Sequence, residues 1–232
     1  MTHSRPASHD ETNRAALDWR AGDVPVSRRF DDPYFSLENG LEETRHVFLG
    51  GNGLPGRYRD GFQVAELGFG TGLNLLASLQ AWRETGVTGV LRYTSFEAYP
   101  MAPEDMVRAQ AGFAGLNALA AELSPQWGRS VIELDDLRFE LITGDARQTL
   151  PGWDGLADAW YLDGFSPAKN PELWEADLLA EVGGHTAPGG TAATYTAAGF
   201  VRRGLAEAGF EVTRVPGYGR KRHMTTARKA RA

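Results

Sequence analysis

Most hydrophobic positions fall either in short apolar runs or in longer stretches with helical spacing, and the two kinds alternate along the chain. The clearest run, residues 64–67, is too short for a helix and ends at a glycine, so it predicts a buried strand. Gly68-Phe69-Gly70-Thr71-Gly72 follows, and leucines at helical spacing then begin at Leu73 and continue to about residue 84. A strand, a glycine turn and a helix in this order are typical of the ligand-binding unit of α/β proteins.

The rest of the chain continues this alternation, with glycine, proline or acidic residues between the segments. The predicted strands cover residues 91–98, 130–134, 138–143, 157–162, 191–195, 210–215 and 223–227, and the predicted helices cover residues 103–123, 172–182 and 197–208. Asp135-Asp136 marks a hairpin between the second and third of these strands. No internal repeat or linker interrupts the pattern, so we predict one α/β, Rossmann-like domain over residues 17–232.

The first sixty residues are less regular. Residues 1–16 are polar and predict a disordered tail. A short strand is predicted at residues 25–27, and a helix at residues 41–49 that Gly50-Gly51 would stop. Because residues 17–60 are rich in aromatic and acidic side chains, we expect this N-terminal extension to cap the pocket, with Tyr34 and Phe35 facing the substrate. An arm that only packs over the sheet is an equal alternative.

Composition excludes several classes of site. Of the 232 residues, 42% are hydrophobic and 23% are charged, which is ordinary for a globular protein. The chain has no cysteine, so disulfides, thiolate nucleophiles and cysteine-bound zinc are excluded. Its five histidines never fall at metal-ligand spacing, and no metal is expected. Without an apolar stretch of about 20 residues or a signal-like leader, we expect a cytoplasmic protein that does not enter membranes.

The charge is unevenly distributed. The net charge is −6, yet residues 201–232 hold nine Arg and Lys against two Glu, a local charge of +7. Three of these side chains are consecutive, Arg220-Lys221-Arg222. This cluster predicts contacts with the phosphates of a nucleic acid, although a merely solvated basic tail is as common an explanation.

The flanks of the glycine turn favour S-adenosylmethionine over a dinucleotide. Glu66 directly precedes the turn and has no cation beside it, so it suits the amino group of S-adenosylmethionine and would repel a pyrophosphate. Asn74 occupies the position where a dinucleotide fingerprint has glycine or alanine. We therefore predict a Rossmann-like methyltransferase site, with Glu66 and Asn74 among its cofactor contacts, and disfavour a nicotinamide-dependent oxidoreductase.

Two further acids stand at predicted strand ends. Glu97 lies 25 residues after Gly72, where an acid reaches the ribose hydroxyls of a bound cofactor, and a solvent-facing side chain is the alternative. Asp145 follows the next long strand and can accept from an adenine amino group. It can equally cap the helical turn that follows, or do both. Ala146, beside it, is included among the expected cofactor contacts.

Asp163 ends the strand at residues 157–162 and is the predicted catalytic residue. Methyl transfer to an amine requires that the amine lose a proton, and a carboxylate can hold its N–H group. The same carboxylate stabilises the ammonium form, whereas a dry pocket disfavours it, and the sequence leaves open which effect prevails. Phe165 offers a stacking face and Lys169 a substrate contact; a plain strand-to-loop turn is the alternative.

Four stretches carry a specific resemblance: FDDPYFSLENGLEETRHVF, AELGFGTGLNLL, YLDGFSPAKNPELW and TYTAAGFVRRGLAEAGFEV, the last followed closely by GYGRKRHM. They resemble the methyltransferase module of the bifunctional tRNA wobble-uridine enzymes, the MnmC family. The resemblance implies a class I fold with seven strands and S-adenosylmethionine as donor. It also implies methylation of the aminomethyl group of 5-aminomethyl-2-thiouridine at the wobble position, with the tRNA anticodon stem-loop as partner.

The resemblance assigns roles to individual residues as well. Gly68, Gly70, Gly72, Glu97 and Asp145 are expected to hold the cofactor, and Asp163 to face the acceptor amine. The chain departs from the family at Leu67, where Thr is frequent, and at Ala98, where Lys is common, and neither change removes a group that the chemistry needs.

No FAD-dependent oxidoreductase module follows this stretch, so a stand-alone methyltransferase without FAD is expected. The alternatives are a methyltransferase of a small amine and an inactive tRNA-binding module, which the intact glycines and acids disfavour.

Overall fold

Two sheets organise residues 14–36 and 39–231, the part of the chain that the computed structural model describes. The strands are β1 (Leu17–Arg20), β2 (Val24–Ser27), β3 (Asp32–Pro33), β4 (Gln63–Leu67), β5 (Leu91–Glu97), β6 (Val131–Glu133), β7 (Leu137–Thr143), β8 (Ala157–Leu162), β9 (Thr186–Thr194), β10 (Phe210–Pro216) and β11 (His223–Lys229). The helices are α1 (Gly40–Thr44), α2 (Leu73–Thr85), α3 (Pro103–Gln110), α4 (Asn117–Leu123), α5 (Ala146–Thr149), α6 (Ala176–Gly184) and α7 (Gly199–Glu207).

The main sheet has the order β10-β11-β9-β8-β4-β5-β7-β6 within the described residues. The five strands from β9 to β7 pair in parallel, whereas β11 is antiparallel to both of its neighbours and β6 is antiparallel to β7. This confirms an α/β, mostly parallel sheet of the Rossmann-like class. Within the described residues the sheet has eight strands, whereas the family resemblance implies seven. The edge strand β6 pairs with β7, with Ile132 opposite Phe139.

Helices cover both faces of the sheet, which explains the nearly continuous apolar strands. Successive residues of β4 point to opposite sides: Val64 joins the core cluster that contains α2, whereas Ala65 and Leu67 join the cluster that contains α6 and α7. The strand that leads into the glycine turn is therefore buried on both faces, and its position is fixed by packing.

The carboxyl ends of the parallel strands share one edge of the sheet. Strand β4 lies between β5 and β8, so the chain leaves β4 on one side and returns to it on the other. Such a switch point leaves a crevice outside the strand ends, where open α/β sheets bind their ligands.

The helix expected at residues 41–49 continues past the glycines. After α1 the chain makes a π-helical turn, Arg45–Leu49, and a 3₁₀ turn, Gly50–Asn52, and it ends at Gly53 with φ of +67°. Gly51 is required for packing, since a Cβ there would lie 2.8 Å from the Cβ of Ala193 on β9. The prediction that Gly50-Gly51 stop the helix was wrong.

Other helix boundaries differ in the same way. The single helix expected at residues 103–123 is two helices, α3 and α4, separated by Gly112-Phe113 and a short 3₁₀ turn. The helix expected from residue 172 begins as a 3₁₀ turn, Pro171–Trp174, and becomes α-helical only at α6.

The N-terminal arm forms the smaller antiparallel sheet, β1-β2-β3. Residues 1–13 of the expected tail lie outside the described residues. The N–H of Ala15 donates to the carbonyl of Pro100, and the carbonyl of Ala16 accepts from Arg28. Residues 15 and 16 therefore already make backbone contacts with the rest of the described chain.

Candidate active site

A cavity of about 1000 Å³ opens at the carboxyl ends of the parallel strands. Residues from strand ends line one half of it. The N-terminal arm, the loop after β8 and the turn between β10 and β11 line the other half. We call the half at the strand ends the cofactor half and the half formed by the arm, the loop and the turn the acceptor half, after the ligands expected there.

The glycine turn forms the floor of the cofactor half. Gly68 and Gly70 have φ of +89° and +55°, and both line the cavity. A Cβ on Gly68 would lie 2.5 Å from the carbonyl oxygen of Asp163, and one on Gly70 would lie 3.1 Å from the ring of Tyr34. Gly72, with φ of +75°, is the N-cap of α2 and is buried away from the cavity, so its role is to turn the chain.

Glu97 ties the end of β5 to the glycine turn. One carboxylate oxygen accepts from the N–H of Gly70 at 3.1 Å, and the other accepts from the N–H of Tyr99 at 2.9 Å. Burial raises the pKa of Glu97, and these backbone hydrogen bonds oppose the rise. Glu97 itself lines the cavity.

Asp145 caps α5, as one of the sequence alternatives holds. Its carboxylate accepts from the backbone N–H of Arg147 at 3.0 Å and forms an ion pair with the guanidinium at 2.6 Å. The hydrogen bond from the Arg147 side chain lowers the pKa of Asp145 and keeps it ionised. Arg147 also reaches Glu175 at 3.1 Å, a contact that sequence reasoning missed. Ala146 lines the cavity beside this pair, and the adenine contact of Asp145 stays a prediction.

Asp163 stands where the two halves meet. One carboxylate oxygen accepts from the amide Nδ2 of Asn74 at 2.7 Å. Burial raises the pKa of Asp163 to about 7, against the lowering effects of Asn74 and of the Lys221 charge. This acid is therefore poised to exchange a proton near neutral pH.

Glu66 lies behind this acid and does not line the cavity. It is completely buried, and its two oxygens accept from Asn74 Nδ2 at 2.8 Å and from Ser95 Oγ at 2.7 Å. The direct contact with the cofactor's amino group that the sequence suggests is blocked in this arrangement, because Asn74 stands between Glu66 and the cavity. Asn74 itself lines the cavity.

Aromatic rings surround the acceptor half. The ring of Phe165 lies 5.0 Å from that of Tyr34, edge to face, and 4.9 Å from that of Phe30. Phe35 lines the cavity and packs against Phe113. Sequence reasoning named Phe165, Tyr34 and Phe35 but missed Phe30, although it belongs to the same aromatic run.

Two lysines connect distant loops across the acceptor half. Lys169, after β8, reaches the carbonyl of Asp31 and the carboxylate of Asp32 in the N-terminal arm, the latter at 3.3 Å. Lys221 reaches Glu43 of α1 at 2.8 Å and lies 4.0 Å from the centre of the Tyr195 ring. The Asp32, Glu43 and Tyr195 contacts were not foreseen, and only the fold brings them to the site.

Six of the nine basic residues in the C-terminal stretch form two groups. Arg220 and Lys221 line the cavity, and exposed Arg222 follows them without lining it. Because β11 runs antiparallel to β9, Thr225 pairs with Thr194 at the cavity end and Arg228 pairs with Thr191 towards the other end. The group formed by Arg228, Lys229 and Arg231 therefore lies away from the cavity.

Two absences hold for residues 14–36 and 39–231. They contain no cluster of three or more His, Asp or Glu side chains arranged for a metal ion. None of their helices is long and apolar enough to cross a bilayer.

Comparisons with known proteins agree with this geometry. Residues 115–230 match a family model described as S-adenosyl-L-methionine-dependent methyltransferase. The chain is 46% identical over 226 residues to the tRNA 5-methylaminomethyl-2-thiouridine biosynthesis bifunctional protein MnmC of Caulobacter vibrioides, covering 93% of this chain and 38% of that protein. Its identity with the protein of the same name from Aeromonas hydrophila is 44% over 242 residues, covering 96% of this chain and 36% of that protein. The chain thus spans little more than a third of these relatives.

Solved structures support the same assignment. MNMC2 of Aquifex aeolicus superimposes with a TM-score of 0.74 at 25% identity, over 92% of this chain and 70% of that one. Spermidine synthase of Thermotoga maritima superimposes with a TM-score of 0.56 at 12% identity, over 95% of this chain and 71% of that one. At that identity the second likeness shows the fold alone.

Proposed function

Because this chain belongs to the S-adenosyl-L-methionine-dependent methyltransferase family, we propose that it methylates a primary amine on a tRNA base. The proposed acceptor is the 5-aminomethyl group of uridine or 2-thiouridine at the wobble position, and the product is 5-methylaminomethyl-2-thiouridine or its 2-oxo form. The observation that carries this proposal is the position of Asp163 at the junction of a glycine-turn pocket and an aromatic pocket. The relatives named for synthesis of that nucleoside support the choice of acceptor.

The cofactor half fits S-adenosylmethionine. Any side chain on Gly68 or Gly70 would meet neighbouring atoms, so the backbone leaves a cradle there for a ligand. Glu97 would hold the ribose hydroxyls, and Asp145 would accept from the adenine amino group. When bound, this group supplies an electrophilic methyl carbon attached to a positively charged sulfur.

Asp163 would orient and deprotonate the acceptor amine. Asn74 engages one of its carboxylate oxygens, which leaves the other for an N–H of the substrate. A fully ionised carboxylate would stabilise the ammonium form and retard attack, whereas an acid with a pKa of about 7 can take the proton at neutral pH. Burial, opposed by Asn74 and by the Lys221 charge, would balance the two effects that the sequence leaves open.

The acceptor half would receive the base and its backbone. Phe165 and Tyr34 present ring surfaces on which an extruded uracil can stack, and Phe35 extends the same wall. Lys169 and the sequence Arg220-Lys221-Arg222 would contact phosphates of the anticodon stem-loop. A cytoplasmic location follows from the tRNA substrate and belongs to the same proposal.

Methyl-group labelling tests the proposal. The enzyme is incubated with S-adenosylmethionine carrying a labelled methyl group, together with tRNA that ends its wobble modification at the aminomethyl stage. Matched reactions contain the free 5-aminomethyluridine nucleoside or small aliphatic amines. We expect label in one tRNA nucleoside that co-migrates with the methylaminomethyl product. Equal labelling of the free amines would contradict the tRNA assignment.

A further inference from the structure

A buried acid below the glycine turn has no role in the mechanism described so far. Glu66 is completely enclosed, although an acid at this depth normally requires a cation or a metal. Its side-chain oxygens contact Asn74 and Ser95, both of which are neutral donors. The titratable groups that face it from the neighbouring strands are Tyr93 of β5, Tyr161 of β8 and Asp163, and none of these is a cation.

Burial raises the pKa of Glu66 well above its ordinary value, against the lowering effect of the hydrogen-bond donors Asn74, Ser95 and Tyr93, and the charge of Asp163 adds to the rise. A protonated Glu66 has one carbonyl oxygen, which accepts from Asn74, and one hydroxyl oxygen beside Ser95. In that form the pocket below the turn contains no uncompensated charge. The neutral acid then behaves as a hydrogen-bonding group and not as an anion.

Both ends of the Asn74 amide are hydrogen-bonded. Its two N–H groups donate to Glu66 at 2.8 Å and to Asp163 at 2.7 Å, and its carbonyl accepts from Thr44 Oγ1 at 2.9 Å. Rotating this amide by half a turn would point its carbonyl at two acid oxygens and its N–H groups at the Thr44 hydroxyl. The acceptor on Glu66 and the donor on Thr44 therefore select the orientation in which Asn74 donates to Asp163.

We propose that Glu66 acts with Asn74 as a pair of positioning residues that aim Asp163 at the acceptor amine, and that Glu66 takes no part in holding the cofactor. One oxygen of Asp163 is fixed by Asn74 and the other points to the substrate. This inference rests on the proposed function only in so far as Asp163 faces the acceptor.

The test compares an isosteric variant with an apolar one. In Glu66→Gln the carbonyl still accepts from Asn74 and the new amide donates to Ser95, so most of the wild-type turnover is retained. In Glu66→Leu the acceptor is lost and Asn74 holds the Asp163 carboxylate less firmly, so kcat falls by about 10- to 100-fold, the range for a weakened or lost hydrogen bond to a charged group. The affinity for S-adenosylmethionine, measured by calorimetry, stays at the wild-type value in both variants. Thr44→Val removes the hydrogen bond that anchors the carbonyl end of the Asn74 amide, so Asn74 is held less firmly and kcat falls in the same direction.

A spectroscopic readout separates this inference from the proposed function. Carboxyl ¹³C resonances of labelled enzyme are followed between about pH 5 and pH 8, and the Glu66 signal is identified by its loss in Glu66→Gln. We expect the midpoint of the Glu66 titration to lie well above the ordinary pKa of a glutamic acid. The pKa of Asp163 rises in Glu66→Leu and in Thr44→Val, since Asn74 is less firmly anchored and stabilises the carboxylate less, but it is unchanged in Glu66→Gln. These shifts are measurable even if tRNA is not the substrate.

Three outcomes would overturn the inference. The first is a Glu66 signal that titrates near the ordinary pKa of a glutamic acid. The second is a Glu66→Gln enzyme as impaired as Glu66→Leu. The third is loss of cofactor affinity in Glu66→Gln, which would return Glu66 to the cofactor's amino group. Should Glu66→Leu fail to fold, an unchanged Asp163 pKa and kcat in Thr44→Val would be sufficient to reject it.

Discussion

The two halves of the cavity are built in different ways. The cofactor half is held by main-chain contacts between neighbouring strand ends, for example Gly68 to Phe96 and Gly144 to Glu97, each at 2.9 Å. The acceptor half is held by side chains that join segments more than 100 residues apart. Lys169 reaches Asp32, and Lys221 reaches Glu43.

The difference predicts how each half tolerates change. Hydrogen bonds between buried backbone groups are obligatory in the fold and do not depend on most side chains. Ion pairs with partly exposed members contribute about 0 to 1 kcal/mol each, so they permit rearrangement when a large substrate enters. We therefore expect the cofactor half to be preformed and sensitive to glycine replacement. In the acceptor half, each single side-chain replacement should change substrate affinity only slightly.

The largest effect is expected from Gly70→Val. The substitution places a β-branched side chain at φ of +55° and a Cβ 3.1 Å from the Tyr34 ring, so it fills the cradle and abolishes binding of S-adenosylmethionine. Calorimetry on folded protein measures the loss.

Gly86→Val is the matched control for that experiment. Gly86 has φ of +68° at the end of α2, and a Cβ there meets nothing within 4 Å. It incurs the same kind of backbone strain, about 1 to 2 kcal/mol, without touching the cavity. Unchanged cofactor affinity in Gly70→Val, or an equal loss in Gly86→Val, would reject the role of the glycine turn.

Asp163→Asn is expected to have the next largest effect. The amide keeps the shape of the side chain but cannot accept the amine proton, so turnover falls by roughly 10²-fold or more. The affinity for S-adenosylmethionine changes little, because its expected contacts lie at Glu97 and Asp145. Single-turnover methylation and calorimetry on one preparation separate the two quantities, and a parallel loss of both would place Asp163 in the cofactor half.

Both catalysis and folding stability should depend on pH through the protonation of Asp163. Because the pKa of Asp163 is about 7, kcat/KM should fall by about tenfold per pH unit well below that value, where the carboxyl is protonated. Stability runs the opposite way: a folded-state pKa above the unfolded value gives stability that is present at low pH and is lost as pH rises through about 7. Asp163→Asn should abolish both dependences, and an acid limb that persists in this variant would assign them to another group.

The basic stretch provides a comparison of the two ends of β11. Replacing Arg220, Lys221 and Arg222 by Gln removes two charges at the cavity and one directly beside it, and replacing Arg228, Lys229 and Arg231 removes three charges elsewhere. Each phosphate contact contributes about 0.7 to 0.9 to the slope of log affinity against log salt, so the first variant should lower the tRNA slope by about 2. The second should leave it close to wild type. Equal slopes in the two variants would mean that the charge acts without regard to position.

Most of the cofactor half could be predicted from the sequence because its determinants are local. A strand, a glycine turn and a helix follow one another in one stretch, and Glu97, Asp145 and Asp163 each follow an apolar run that is itself easy to recognise. The direction of the Glu66 side chain could have been inferred from the alternation along β4, whose successive side chains point to opposite faces of the sheet. Its neighbours Ala65 and Leu67 face α6 and α7, so Glu66 must face α2.

The acceptor half resisted prediction because its contacts are long-range. Nothing in the composition near Glu43 or Asp32 indicates that a lysine from the far end of the chain will reach it. The split of the basic stretch depends on the direction of one edge strand, which local charge counts do not contain. Arg222 illustrates the limit: it adjoins two residues that line the cavity but does not line it itself.

The smallest effect is expected where the arm meets the loop after β8. Asp32 has two partners: Lys169 at 3.3 Å and the backbone N–H of Ser166 at 3.0 Å. In Asp32→Asn the amide carbonyl still accepts from Ser166 but the ion pair is gone, so the KM for tRNA should rise by no more than about fivefold, the equivalent of a surface ion pair, with kcat unchanged. In Asp32→Ala the backbone N–H also loses its acceptor, and the loop that carries Phe165 becomes less well placed, so kcat should fall as well. Steady-state kinetics on the two variants distinguishes these effects. A kcat defect already present in Asp32→Asn would show that turnover depends on the charge at Asp32 and not on the anchoring of the loop. The ion pairs of the acceptor half would then not be weak and adjustable contacts, as the difference between the two halves requires.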